Sequence, residues 1–176
     1  MILKGFKEKS NKKYLNKMLS EREVYVDDSK VESLGIILNS DEVDDFELFR
    51  GLATYLHIRP NKLKVIAFSP TKNEKPNFWE LCFSAKDIGW NGTIKNTELQ
   101  AFLDKSFDVL ISYYANDELE LKLLTGLSNA KFKIGILQTD TRLNDLIIKT
   151  HLDEFKVFKK EVFKYLTILN KIKNEQ

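Results

Sequence analysis

The sequence has few of the residues that build disulfides and metal centres. Its 176 residues include one cysteine, Cys82, and two histidines, His57 and His151. A single cysteine cannot form an internal disulfide, and three such side chains far apart in sequence are too few for the four ligands of a structural zinc site. We therefore predict no disulfide and no metal, with Cys82 in the core and both histidines at the surface or at helix ends.

Long hydrophobic runs are also missing. No apolar stretch approaches the roughly 20 residues that a membrane-spanning helix requires. The first 14 residues, MILKGFKEKSNKKY, lack the apolar centre of a secretory signal. These absences predict a cytoplasmic protein without a transmembrane segment.

The glycine-rich signatures of nucleotide-binding and catalytic loops are absent as well. Neither G-x-G-x-x-G nor G-x-x-x-x-G-K-[ST] occurs, Ser112 has no G-x-S-x-G context, and no calcium-binding loop pattern is found. The sequence therefore predicts no catalytic residue and no cofactor.

The residues that are present alternate between apolar strands and amphipathic helices. Strands are predicted at 31–38, 62–69, 78–84, 107–113, 131–137 and 144–149. Strands that are continuously hydrophobic indicate a parallel sheet with helices on both faces. We predict an α/β fold, a Rossmann-like three-layer sandwich with a mostly parallel sheet of five or six strands in the order 3-2-1-4-5-6.

Helix boundaries are predicted from capping signals. Asp44 with Glu47, and Thr97 with Gln100, have the spacing of capping boxes, and Asn116 is placed to cap the helix after the fourth strand. A long terminal helix is expected over 153–173. Its core-facing residues are Phe155, Phe158, Val162, Leu166, Leu169 and Ile172.

Basic residues are concentrated at the N-terminus. Residues 1–23 carry seven basic and three acidic side chains, a net charge of +4, and the remaining 153 residues carry −2. We predict a basic helical arm over 1–23 ahead of a single Rossmann-like domain over 24–176. The arm's candidate contacts are Lys4, Lys7, Lys9, Lys12, Lys13 and Lys17. Such lysines attract anionic surfaces, whether lipid or nucleic acid; the alternative is an amphipathic helix packed on the domain through Tyr14, Leu15, Met18 and Leu19.

A ligand site in this fold class would lie where the strand order reverses, beyond the carboxyl ends of the first and fourth strands. The candidate ligand-binding residues there are Asn39, Asp41, Tyr114, Asn116 and Asp117. Adjacent Tyr113 and Tyr114 should point to opposite faces, which could leave one of them at the rim. Carboxylates crowd both strand ends, so we expect this rim to disfavour phosphate-bearing ligands.

Two resemblances add to these predictions. The segment FDVLISYYANDELELKLLTGLSNAKFKIGI, 107–136, resembles a strand-helix-strand unit in the N-terminal domain of heptosyltransferase-type glycosyltransferases, which implies a similar fold. The arm, Leu34-Gly35-Ile36, the turn 127–132 and the helix 165–170 together resemble an uncharacterised bacterial family of small cytoplasmic proteins, a domain of unknown function. That second likeness implies no particular activity.

These features favour a non-enzymatic binding or adaptor module that contacts a macromolecule through the basic arm. The partner could be a protein, RNA or the ribosome, or a membrane surface. The alternative is a small-molecule-binding enzyme, or a relic of a glycosyltransferase half, with its site at the carboxyl ends of the central strands. The oligomeric state stays open.

Overall fold

The computed structural model describes residues 2–24, 27–70 and 81–173. The strands are β1 (Leu34–Asn39), β2 (Leu63–Phe68), β3 (Cys82–Phe83), β4 (Val109–Tyr113), β5 (Phe132–Ile136) and β6 (Leu146–Ile148). The α-helices are α1 (Ile2–Ser20), α2 (Glu47–Tyr55), α3 (Thr97–Asp104), α4 (Leu119–Leu127) and α5 (Phe155–Ile168).

Within the described residues the six strands form one parallel sheet in the order β3-β2-β1-β4-β5-β6. This confirms the predicted α/β class and strand order, and the sheet is parallel throughout. Because β1 lies between β2 and β4, the strand order reverses there: β2 and β3 are added on one side of β1, and β4, β5 and β6 on the other. The third predicted strand is reduced to two residues, and 78–80 of that prediction lie outside the described residues.

Helices cover both faces of the sheet. One face packs against α2 and α5 through Phe49, Leu52, Phe158 and Val162. The opposite face packs against α1, α3 and α4, and all six residues of β1 are buried. A strand covered on both sides is apolar at nearly every position, which explains the unbroken run LGIIL. The three layers confirm the Rossmann-like sandwich.

The N-terminal helix α1 is part of the second of these layers. Leu15 and Leu19 are buried in the same cluster as the α4 leucines, with Tyr14 and Met18 packed against it. The amide of Asn11, also buried, donates to the Gly89 carbonyl at 3.0 Å and accepts from the Gly92 N–H at 2.9 Å. The packing predicted for one side of the arm is therefore confirmed.

Gly92 makes this docking possible. Its φ of +67° lies in the left-handed region, and an added Cβ would come within 2.6 Å of the Tyr14 ring. Glycine is thus required there both by the backbone and by the close approach of α1.

The helix starts correct three capping predictions. Asn96, one residue before Thr97, caps α3 by accepting from the N–H groups of Glu98 and Leu99. Helix α4 starts after Glu118 without a side-chain cap, so the prediction for Asn116 is wrong. Helix α2 likewise follows Phe46 without a side-chain cap, and Asp44 does not act as one.

The C-terminal helix is shorter than the 153–173 predicted. It ends at Ile168, and Asn170 adopts a φ of +57° that turns the chain away from the helix. Leu169 is therefore 43% exposed and outside the core, which corrects its predicted role, whereas Ile172 is buried as predicted.

The prediction for Cys82 is also wrong in part. The side chain is exposed, because β3 lies at the sheet edge and presents it away from the core. The thiol is nevertheless partly buried, and this burial, with the nearby Asp87 and Asp41 carboxylates, raises its pKa.

Asp108 anchors the start of β4 to the segment before β1. One carboxylate oxygen accepts from the N–H groups of Glu32 and Ser33 and from the Ser33 hydroxyl, each at 3.0 Å. The other accepts from the Lys131 ammonium at 2.9 Å. Burial raises the pKa of this carboxyl, but the bonds from Lys131, Glu32 and Ser33 outweigh it and hold the pKa below its usual range.

Asp108→Asn is expected to lower the free energy of unfolding at pH 7 by about 2 kcal/mol, because charge-assisted hydrogen bonds are lost or weakened. The folded-state pKa is depressed, so this contribution is present above the ordinary aspartate pKa of about 4 and disappears as the pH falls through the folded value. Urea unfolding at pH 7 and at pH 2.5 measures the difference. A gap between wild type and variant that is equally large at both pH values would contradict the prediction.

Candidate functional site

The carboxyl ends of β1 and β4 form the crest of the sheet, where the predicted ligand residues lie. Asn39, at the end of β1, is fully buried, and its side-chain oxygen accepts from the Asp41 N–H at 2.9 Å. This bond turns the chain immediately after the strand. Asn39 therefore shapes the crest from beneath, while Asp41 is exposed above it.

Glu42, which is not among the predicted ligand-binding residues, joins the two strand ends. Its carboxylate accepts from the Ala115 N–H at 3.0 Å and from the Asn116 N–H at 2.7 Å. Adjacent backbone N–H groups that converge in this way are the kind of site that binds phosphate in other proteins. Here the protein's own carboxylate occupies them.

The only sequence signal for this contact is chemical complementarity. An acidic run follows β1, and the loop after β4 has amide groups that no side chain of its own caps. The two segments are 73 residues apart, so their contact depends on the pairing of β1 with β4.

The other predicted crest residues are dispersed. Asn116 and Asp117 are exposed, and the Asp117 carboxylate pairs with Lys122 at 3.0 Å. Tyr113 and Tyr114 point to opposite faces as predicted, and both are buried, so neither side chain reaches the rim. Tyr114 is bonded through its hydroxyl to Thr125 at 2.8 Å, and burial raises its pKa. A ligand site formed by these residues stays a prediction.

Buried polar side chains lie beside the crest, above β5. Gln138 donates to the carbonyls of Ser112 and Tyr114, and its side-chain oxygen and the Asn144 amide occupy the space over Gly135. An added Cβ on Gly135 would come within 2.1 Å of the Gln138 oxygen. This packing explains the glycine in the middle of a buried strand.

A cleft of about 400 Å³ separates the end of α1 from the end of α4, and Lys133 lies at its base. Lys133 is only 4% exposed. Its ammonium group donates to the carbonyls of Thr125 and Gly126 at 2.8 and 3.3 Å. Burial and the nearby Arg22 lower the pKa of this amine to about 8, although Asp145 opposes the shift. These carbonyls belong to the last turn of α4, where a cation is favoured.

The outward side of α1 carries the arm's exposed lysines. Lys9, Lys13 and Lys17 recur every four residues and are exposed, opposite the buried row of Asn11, Leu15 and Leu19. Ile2 and Phe6 continue the same side toward the helix N-terminus. We call this set, Ile2, Phe6, Lys9, Lys13 and Lys17, the outward row of α1.

The remaining arm lysines have different surroundings. Lys7 donates to the Ala85 carbonyl at 3.3 Å, and Lys12 pairs with Glu8 at 2.9 Å on the exposed flank. Lys4 is exposed in the first turn. Of the six predicted contacts, three therefore lie on the outward row, two have local partners, and Lys4 is exposed outside the row.

Comparison with known proteins gives a family but no function. The model of a family described as "Family of unknown function (DUF6913)" matches residues 7–169. The chain belongs to this family. The resemblance predicted from the arm, the first strand, the turn and the last helix is thereby confirmed, and the match includes the lysine part of the outward row. No curated protein matches the chain.

Two further observations concern the described residues only. Across 2–24, 27–70 and 81–173, no three histidine, cysteine, aspartate or glutamate side chains are grouped so that they could hold a metal ion. None of the helices in those ranges combines the length and the apolar character needed to cross a bilayer.

Proposed function

We propose that this chain is a binding module that attaches to an anionic macromolecular surface through the outward row of α1. The observation that carries the proposal is the row itself: three exposed lysines on one side of a helix whose other side is anchored in the core. No ion pair among the described residues involves Lys9, Lys13 or Lys17. Their charge is therefore available to a partner.

The anchoring of α1 on the domain also supports binding through the outward row. Because Asn11 and Ser10 bond to the loop at 89–92, and Leu15 and Leu19 are buried, the lysines are held at fixed spacing. A preorganised row loses less conformational entropy on binding than a flexible basic tail would. The crest, in contrast, has its anion-binding amides filled by Glu42.

Replacing Lys9, Lys13 and Lys17 together by glutamine tests the proposal. Each lysine near an anionic surface contributes about 1 kcal/mol, so the triple variant should bind at least tenfold more weakly at 50 mM NaCl. Binding is measured with heparin, with single-stranded RNA and with vesicles containing phosphatidylglycerol, each over a salt series.

A matched control removes the same charge elsewhere. Lys149, Lys156 and Lys160 are exposed and lie at or near α5, on the opposite face of the sheet. Their glutamine variant should bind as the wild type does. Equal losses in both triple variants would show that net charge, and not the outward row, determines binding, and would refute the proposal.

A further inference from the structure

The N-terminal end of the outward row is apolar and exposed. Ile2, Leu3 and Phe6 are 80%, 71% and 56% exposed. Large apolar side chains that are exposed next to one another mark interaction surfaces more often than isolated ones do. Phe6 lies one turn and Ile2 two turns before Lys9, so the exposed side of α1 is one continuous surface, apolar at one end and cationic along the rest.

The loop that receives α1 adds an exposed tryptophan. Trp90 is 45% exposed and precedes Asn91, whose side chain is bonded to the Ser10 hydroxyl. It therefore lies beside the N-terminal half of α1. Tryptophan is enriched at the boundary between lipid headgroups and acyl chains, where its ring is partly apolar and its N–H is hydrated.

The side chains favour lipid over nucleic acid. RNA surfaces are typically bound with arginine as well as with aromatic rings that stack on bases. Phe6 and Trp90 are exposed aromatic rings, but the outward row has no arginine, and Ile2 and Leu3 cannot stack. Arg22, the arginine next to α1, is turned inward and bonds to Asp145 and to the Arg142 carbonyl. The outward row presents lysines to anionic headgroups, and its exposed apolar end can enter the boundary between headgroups and acyl chains.

We propose, as an extension of the function proposed above, that the surface bound by the outward row of α1 is an anionic lipid bilayer. The helix would lie along the membrane plane, about 28 Å in length. Ile2, Leu3 and Phe6 enter the headgroup region, and Lys9, Lys13 and Lys17 contact lipid phosphates. The lysine side chains supply long-range attraction, and the apolar side chains supply the part of the affinity that salt does not screen.

The test separates the apolar contribution from the charge. In Ile2→Ser/Phe6→Ser the lysines are kept, and binding to vesicles of phosphatidylcholine and phosphatidylglycerol in a 7:3 ratio should fall at least tenfold in a co-sedimentation assay. Val157→Ser/Ile168→Ser is the matched control, since these side chains on α5 are 47% and 67% exposed. Circular dichroism and the melting temperature should be unchanged in both variants, because none of the four side chains is buried.

The possible outcomes distinguish this inference from the broader proposal. Wild-type binding to anionic vesicles, with little binding to pure phosphatidylcholine and a loss confined to the Ile2/Phe6 variant, supports the lipid surface. Lysine-dependent binding to RNA or heparin without binding to vesicles overturns the lipid inference and leaves the proposed function standing. If the wild type binds none of these probes, both are refuted. Vesicle binding that is equal in the serine variants and the wild type also overturns the inference.

Discussion

Replacing Asn11 by leucine is expected to lower the free energy of unfolding by about 4 kcal/mol, because two buried backbone groups lose their hydrogen-bond partner at once. The Asn11 amide joins α1 to both the Gly89 carbonyl and the Gly92 N–H. Leucine has the same branched arrangement of side-chain heavy atoms and a higher helix propensity, but it cannot bond to either group. Urea unfolding monitored by circular dichroism at pH 7 gives the difference.

The same exchange at Asn16 is the control. Asn16 is exposed on α1, and its side chain accepts one exposed hydrogen bond from Arg142. Asn16→Leu should change the free energy of unfolding by less than about 1 kcal/mol, as is usual for exposed positions. A loss at Asn11 no larger than at Asn16 would mean that α1 is attached without help from this amide.

Lys133 is expected to make stability depend on pH at alkaline values. Its folded-state pKa of about 8 lies below that of an unfolded lysine, about 10.4, so between these values the unfolded chain binds more protons. As the pH rises through this window, the folded state therefore gains stability relative to the unfolded state. Below pH 8 the buried ammonium is charged and this gain is absent.

The measurement compares wild type with Lys133→Met between pH 7 and pH 10.5. Methionine does not titrate, so the wild type should gain about 3 kcal/mol relative to the variant over that range, from the linkage between pKa and stability. The loss of bonds to the Thr125 and Gly126 carbonyls shifts the variant's stability equally at every pH and does not affect the slope. Parallel curves for the two proteins would contradict the prediction.

The sheet could be predicted from sequence because its strands are buried on both faces. In β1, β4 and β5, burial forces nearly continuous apolar runs, and the alternation of strands with helices then restricts the order of the sheet. The packing of α1 through Tyr14, Leu15, Met18 and Leu19, which was one of two alternatives for the arm, also followed from helical spacing. Each of these predictions depends on burial. The pattern of apolar residues along a short segment indicates which of its positions are buried.

The wrong predictions concern residues whose position or hydrogen bonds are determined by contacts distant in sequence or by local backbone geometry. Asn116 was expected to cap α4, but its N–H is bonded to Glu42, from a strand end far away in sequence. Cys82 has apolar neighbours in sequence, yet it lies on an edge strand of two residues. The Asn11 amide gave no signal in sequence, because its partners are backbone groups of a loop about 80 residues later.

The Glu42 carboxylate has a consequence for any ligand at the crest. The Glu42 carboxylate already accepts hydrogen bonds from the Ala115 and Asn116 N–H groups. Because it is part of the same chain, its effective concentration there is in the millimolar range or above. A free anion would have to displace it, so its apparent affinity would be weakened in proportion. The single substitution Glu42→Ala would remove this carboxylate and leave the Ala115 and Asn116 N–H groups open to an anion from solution.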